Sequence, residues 1–158
     1  MFQIVENGNI FEATTQSIVN PVNCVGVMGA GLALKFKAFY PEMFTYYKEQ
    51  CDAGKVRPGV IVAWALDTWH SDDYAMHYIF NVPTKIHWRD PSTMSYIRLG
   101  VDALITTMKE HDVHSVAIPA IGCGLGGLQW DEVSRTIIEK FQRRAQDKAV
   151  FLYAPHGA

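Results

Sequence analysis

Cysteine is scarce: Cys24, Cys51 and Cys123 are the only three in 158 residues. An odd number at irregular spacing excludes a disulfide scaffold and points to a reducing compartment. Excess positive charge is missing too. Fourteen Lys and Arg stand against sixteen Asp and Glu, a net charge of −2, so no global basic field gathers polyanions at the surface. A nucleic acid would have to be gripped locally. No apolar run approaches the ~20 residues of a membrane-spanning helix, and Met1 to Glu6 lacks the pattern of a signal peptide. Internal repeats, linkers and low-complexity tracts are absent. His111 and His114 have no third ligand nearby in sequence, so neither a metal nor a cofactor is expected. What remains is one domain over residues 1–158, soluble, cytoplasmic and monomeric, with 49% apolar residues to build a core.

Glycine, by contrast, is concentrated. Asn20-Pro21-Val22-Asn23-Cys24-Val25-Gly26-Val27-Met28-Gly29-Ala30-Gly31 follows a strand-like run, and Ile121-Gly122-Cys123-Gly124-Leu125-Gly126-Gly127 follows another, Ser115 to Ile118. Glycine lets backbone amides approach a ligand closely, and a helix N-terminus just behind favours negative charge. Two such loops on neighbouring strands cradle a diphosphate or a nucleoside diphosphate sugar. The amides of Asn20 and Asn23 suit ribose hydroxyls or, alternatively, cap and brace the chain at strand ends.

The pattern around these loops predicts an α/β domain. Strands are expected at Phe2–Val5, Ile18–Val19, Val60–Leu66, His77–Val82, Ser115–Ile118 and Val150–Tyr153. A polar connection, Asp67 to Tyr74, joins the third and fourth of these. Helices are expected over Gly31–Tyr40, with Leu32, Ala33, Phe36 and Phe39 inward, and over Met43–Gln50, with Phe44 and either Tyr46 or Tyr47 inward. A third helix follows Ser92, with Ile97, Val101, Leu104, Ile105 and Met108 on one face. A fourth carries Asp131 and Glu132 in its first turn, then Val133, Ile137 and Phe141.

These segments resemble the macrodomain family, the ADP-ribose-binding module. The likeness runs from Phe2 to about Tyr153 and implies a three-layer α/β/α fold with a mixed, largely parallel sheet. Val25 to Ala33, Val82-Pro83-Thr84-Lys85-Ile86-His87-Trp88 and Ile121 to Trp130 are similar to one branch, that of the DarG antitoxin macrodomain and the terminal ADP-ribose glycohydrolase. In that branch the lysine of the Pro-Thr-Lys-x-His-Trp segment is catalytic, and the role falls here on Lys85. The glycohydrolase pairs this lysine with an aspartate in the second loop, where this chain has Gly126. The resemblance implies ligand contacts at Gly8, Asn9, Ile10, Asn20, Gly29, Ala30, Gly31, Thr84, Pro119, Gly122, Cys123, Gly124, Leu125 and Gly126, with Asn23 joining Lys85 as a catalytic residue. It also implies hydrolysis of ADP-ribose from a modified macromolecule, foremost thymidine in ADP-ribosylated single-stranded DNA, with a DarT-like toxin as partner. A non-catalytic ADP-ribose reader, or a hydrolase of ADP-ribose 1″-phosphate or O-acetyl-ADP-ribose, is the alternative. DarG carries a further toxin-binding domain, so a chain ending at Ala158 is either a domain of a longer protein or a stand-alone relative.

Several residues have two readings. A lysine at Lys85 attacks the anomeric carbon as an amine, or stabilises the leaving group as a cation; a solvated loop lysine is the plain alternative. Asn9 accepts from an adenine amino group or belongs to the Gly8-Asn9 turn. His87, Trp88 and Arg89 hold a single strand by stacking and a phosphate contact, or the indole anchors its loop on the sheet. Cys24 and Cys123 have no adjacent histidine to activate them and read as packing residues.

Overall fold

The computed structural model describes residues 1–66 and 76–157. The connection Asp67 to Tyr74 and the terminal Ala158 lie outside the described residues. In chain order the elements are β1 (Phe2–Val5), a 3-10 turn (Ile10–Glu12), β2 (Ser17–Val22), α1 (Gly31–Phe39), α2 (Pro41–Asp52), β3 (Val62–Ala65), β4 (Tyr78–Pro83), α3 (Met94–Glu110), β5 (Ser115–Ile118), α4 (Trp130–Arg144) and β6 (Ala149–Tyr153). The strands form one sheet in the order β1-β6-β5-β2-β4-β3. Each neighbouring pair is parallel except β3 with β4, which is antiparallel.

Period-two alternation divides the sheet residues between two cores. On one face Val19, Phe80, Val82, Val116 and Ile118 pack against Ile97, Val101, Leu104, Ile105 and Met108 of α3 and Val133, Ile137 and Phe141 of α4. On the other face Ile18, Val22, Ile79 and Ala117 meet Phe36 of α1 and Met43 and Tyr47 of α2. The result is the expected α/β/α sandwich. Both periodic helices bury the residues their spacing predicts. Thr93 caps α3 by accepting from the Tyr96 amide at 3.2 Å, and Asp102 of α3 binds Lys140 of α4 at 2.8 Å.

Three expectations need correction. Phe39 is not inward: it is 62% exposed and lies against Phe11, ring centroids 4.9 Å apart. The run Val60–Leu66 contributes only Val62–Ala65 as strand, because Val60 closes a turn onto the Arg57 carbonyl. Asn20 and Pro21 are strand, not loop, since β2 continues to Val22 in register with β4. Pro21 is tolerated because pairing with β5 has already ended at Ile18, leaving no ladder partner for the missing N–H.

A candidate active site at the C-terminal edge of the sheet

Parallel pairing sends β5, β2 and β4, which lie side by side, out of the sheet at the same edge. The loops that follow them meet there, which is where α/β sheets bind ligands. The β4 loop does not drift away. The Thr84 amide donates to the Val22 carbonyl at 2.9 Å and the Cys24 amide donates to the Ile86 carbonyl at 2.8 Å, so the ladder runs past the strand ends. Lys85 lies between these two ties, its carbonyl 3.5 Å from Cys24 Sγ. Its side chain is half-buried, and its ammonium has no hydrogen-bond or ion-pair partner among the described residues. The far end of the same loop is tied down as well, the Ser92 amide donating to the Gly126 carbonyl at 3.0 Å.

The first glycine loop is built around Asn23. Its Oδ1 accepts from the Val25 and Val27 amides at 3.1 and 3.4 Å, and its Nδ2 donates to the Val27 carbonyl at 2.7 Å. Beneath it, the Tyr47 hydroxyl lies 2.7 Å from the Asn23 carbonyl and 2.9 Å from its Oδ1. Asn23 is thus largely spent on holding the loop, with one amide hydrogen left over for a ligand. Asn20 lies deeper still. It is wholly buried and donates to Asn81 Oδ1 at 2.9 Å and to Met28 Sδ at 3.8 Å, so it braces the first loop against β4. Gly29, Ala30 and Gly31 are exposed, and Ala30 begins α1 without a side-chain cap. The first-turn amides of α1 are therefore open to an anion.

The second loop leaves the Gly124, Leu125 and Gly126 amides without an acceptor among the described residues. Its shape is enforced from below. Gly122 has φ +74°, and a Cβ there would meet Leu128 at 2.8 Å. A Cβ on Gly126 would collide with Ser92 Oγ, lie 2.6 Å from the Gly122 carbonyl and 2.8 Å from Ser92 Cβ. The aspartate of the related glycohydrolase has no room at this position. Gly124 is different: its surroundings are open and its φ is not positive. It is free to approach a ligand and imposes nothing on the fold.

Thr84 and Pro119 are buried at the ends of β4 and β5, and Cys123 is half-buried, its Sγ 3.5 Å from the Ile121 carbonyl. Burial pushes the Cys24 and Cys123 thiols up to about 11, so both stay protonated near neutrality. Farther along the edge, Gly8 packs against Tyr153, and Ile10 is buried beside it. Asn9 caps the 3-10 turn, its Oδ1 accepting from the Phe11 amide at 3.0 Å. His111 and His114 sit at the opposite end of the sheet, bound to the Thr107 carbonyl and Asp112, and no group of three or more metal-ligating residues occurs among the described residues. Tyr47, Asn81 and Ser92 escaped the reading of the sequence. Each acts across a long chain separation, and no local spacing marks it.

A family model for the macro domain matches residues 19–137. The chain belongs to the macro domain family. The solved structure of the Mycobacterium tuberculosis DarG macrodomain superposes with a TM-score of 0.91 at 40% identity, covering 98% of each chain. Thermosipho africanus DarTG in complex with ADP-ribose gives a TM-score of 0.86 at 28% identity, over 98% of this macro domain and 41% of that chain. A curated Mycobacterium tuberculosis relative, named DNA ADP-ribosyl glycohydrolase, is 44% identical over 151 residues, 96% of this chain. The macro domain spans 42% of that relative's length. No helix among the described residues is long and apolar enough to cross a membrane.

Proposed function

We propose that this macro domain is a DNA ADP-ribosyl glycohydrolase that uses Lys85 to release ADP-ribose from thymidine in single-stranded DNA. The observation that supports the reading is that backbone hydrogen bonds tie the segment carrying Lys85 to Val22 and Cys24 of the first glycine loop, while its ammonium is uncommitted among the described residues. In this reading the diphosphate lies on the free amides of the two glycine loops, and the adenosine extends toward Gly8, Asn9 and Ile10. The distal ribose then meets Lys85 and the spare N–H of Asn23. The bond from ribose C1 to the base breaks, water oxygen takes C1, and the base leaves with a proton. Lys85 serves this step either as the attacking amine, giving a sugar adduct that water hydrolyses, or as the cation that stabilises the departing base. A DarT-like transferase supplies the substrate; a relative from Thermosipho africanus is named as a fusion of DNA ADP-ribosyl transferase and glycohydrolase. The three free thiols suit a reducing, cytoplasmic setting, and one chain furnishes every loop of the groove, so a monomer suffices.

The test is release of ADP-ribose from an ADP-ribosylated thymidine oligonucleotide. Lys85→Ala is expected to cut turnover by a hundredfold or more, about 2.7 kcal/mol of transition-state stabilisation. ADP-ribose affinity should stay within about tenfold, because the amides that hold the diphosphate are on other loops. Borohydride trapping of a sugar on Lys85 identifies the amine route, and its absence the electrostatic one. Full activity in Lys85→Ala would leave an ADP-ribose reader as the better account.

A further inference from the structure

The loop that carries Lys85 ends in an exposed knuckle. Trp88 is 45% exposed and joins neither core of the sandwich, so it does not anchor the loop on the sheet. Yet it is not loose. The Arg89 guanidinium lies over the indole, 4.5 Å from the ring centroid. The Arg89 amide donates to His87 Nδ1 at 3.2 Å, and the His87 amide donates to Asp90 Oδ2 at 3.2 Å. Asp90 is thereby turned onto its own loop. The His87 ring packs beside the indole with centroids 5.2 Å apart. An exposed aromatic ring, held in place and topped by a cation, is an ordered surface with no work to do inside the fold.

We propose that Trp88 and Arg89 form a stacking platform for the nucleobase next to the ADP-ribosylated nucleotide, so that the bound strand leaves the site across this knuckle. The proposal rests on the glycohydrolase reading above and names the part of the substrate beyond ADP-ribose. Three peptide steps separate Lys85 from Trp88, at most about 11 Å of chain, so a strand whose modified base sits at Lys85 brings its neighbour within reach. A π surface with a guanidinium binds any base and its phosphate, and it does so without the basic field this chain lacks. The rim supports the same occupant: Ile86, Leu125, Val25 and Val27, on the three loops of the groove, are all exposed apolar residues. A base stacked on the knuckle must be unpaired, which makes a single strand the substrate.

Hydrolysis is measured on two substrates, a single ADP-ribosylated thymidine nucleotide and a single-stranded oligonucleotide carrying the same modification. The natural chain should show a kcat/KM about tenfold higher for the oligonucleotide, within the contribution of one stacked base. Trp88→Ala should abolish that preference through KM, Arg89→Ala should reduce it, and Trp88→Phe should restore most of it. Indole fluorescence should be quenched by unmodified oligonucleotide in the natural chain and much less in Trp88→Ala. An unchanged length preference in Trp88→Ala, or an equal loss on an ADP-ribosylated peptide, would overturn the platform and leave the glycohydrolase reading standing. Failure of the natural chain to cleave either DNA substrate would instead remove the reading on which the platform rests.

Discussion

Two glycines, two residues apart in the second loop, answer to different demands. At Gly126 the backbone passes so close to Ser92 and to the Gly122 carbonyl that no side chain fits; at Gly124 nothing in the protein lies within reach of a Cβ. Substitution should separate the two by property. Gly126→Ala is expected to lower unfolding free energy by about 2 kcal/mol, the cost of forcing a methyl group into a packed space, because a carbonyl oxygen cannot swing aside as a side-chain tip can. Gly124→Val should change stability by no more than about 0.5 kcal/mol and yet weaken ADP-ribose binding severely, its bulk standing where the free amides of the loop meet the diphosphate. Denaturant titration and calorimetry on the pair check this. Equal stability loss in both would mean that the loop is held differently. The same crowding leaves no room for an acidic side chain at position 126.

Helix α2 packs Lys48 and Cys51 against Gly26 of the first glycine loop and sends Tyr47 beneath Asn23. The Tyr47 hydroxyl joins the Asn23 carbonyl and side chain from below, so a residue buried in the second core determines the shape of the first glycine loop. Tyr47→Phe should cost about 1–3 kcal/mol of stability, the penalty for a buried acceptor left unpaired, and raise KM more than it lowers kcat, since in the proposed reading most of the loop positions ligand and only Asn23 meets the reacting end. Burial also pushes the Tyr47 phenol well above its ordinary value of 10.0. Ionisation would destroy its donor; with the pKa raised, the donor persists at alkaline pH, and the pH–rate profile should show no falling limb from this group up to pH 10. A KM unchanged in Tyr47→Phe would sink the positioning role. Elements of this kind divide by what the sequence displays. Helices α3 and α4 are legible because their apolar residues recur at the helical period. The glycine loops are legible because glycine is rare enough to stand out. Tyr47 and Tyr46 could not be told apart by spacing alone, and the exposed Phe39 follows an inward period but lies at the surface beside Phe11. The roles of Asn20 and Asn23 depend on where β2 stops pairing, which is set by β4, about sixty residues away.

At the scale of the whole molecule, strand order makes the site. With β2 central and β4 and β5 beside it, the parallel sheet gathers three loops that are remote in sequence, and hydrogen bonds from Thr84, Cys24 and Ser92 knit them into one rim. A rim tied in this way needs little ordering when a ligand binds, so little of the binding energy is lost to it. ADP-ribose should accordingly bind with a Kd of about 10 μM, roughly −7 kcal/mol. Because a ligand that binds only the native state stabilises it by RT ln(1 + [L]/Kd), 1 mM ADP-ribose should add about 2.7 kcal/mol. For a domain of this size that corresponds to a rise in Tm of about 5–10 °C. Lys85→Ala should show nearly the same rise, since in the proposed reading its ammonium meets the reacting end and not the diphosphate, whereas Gly124→Val should show little. A thermal scan without a shift at millimolar ADP-ribose, on protein that melts cooperatively, would mean that the two loops do not form the diphosphate cradle their free amides suggest.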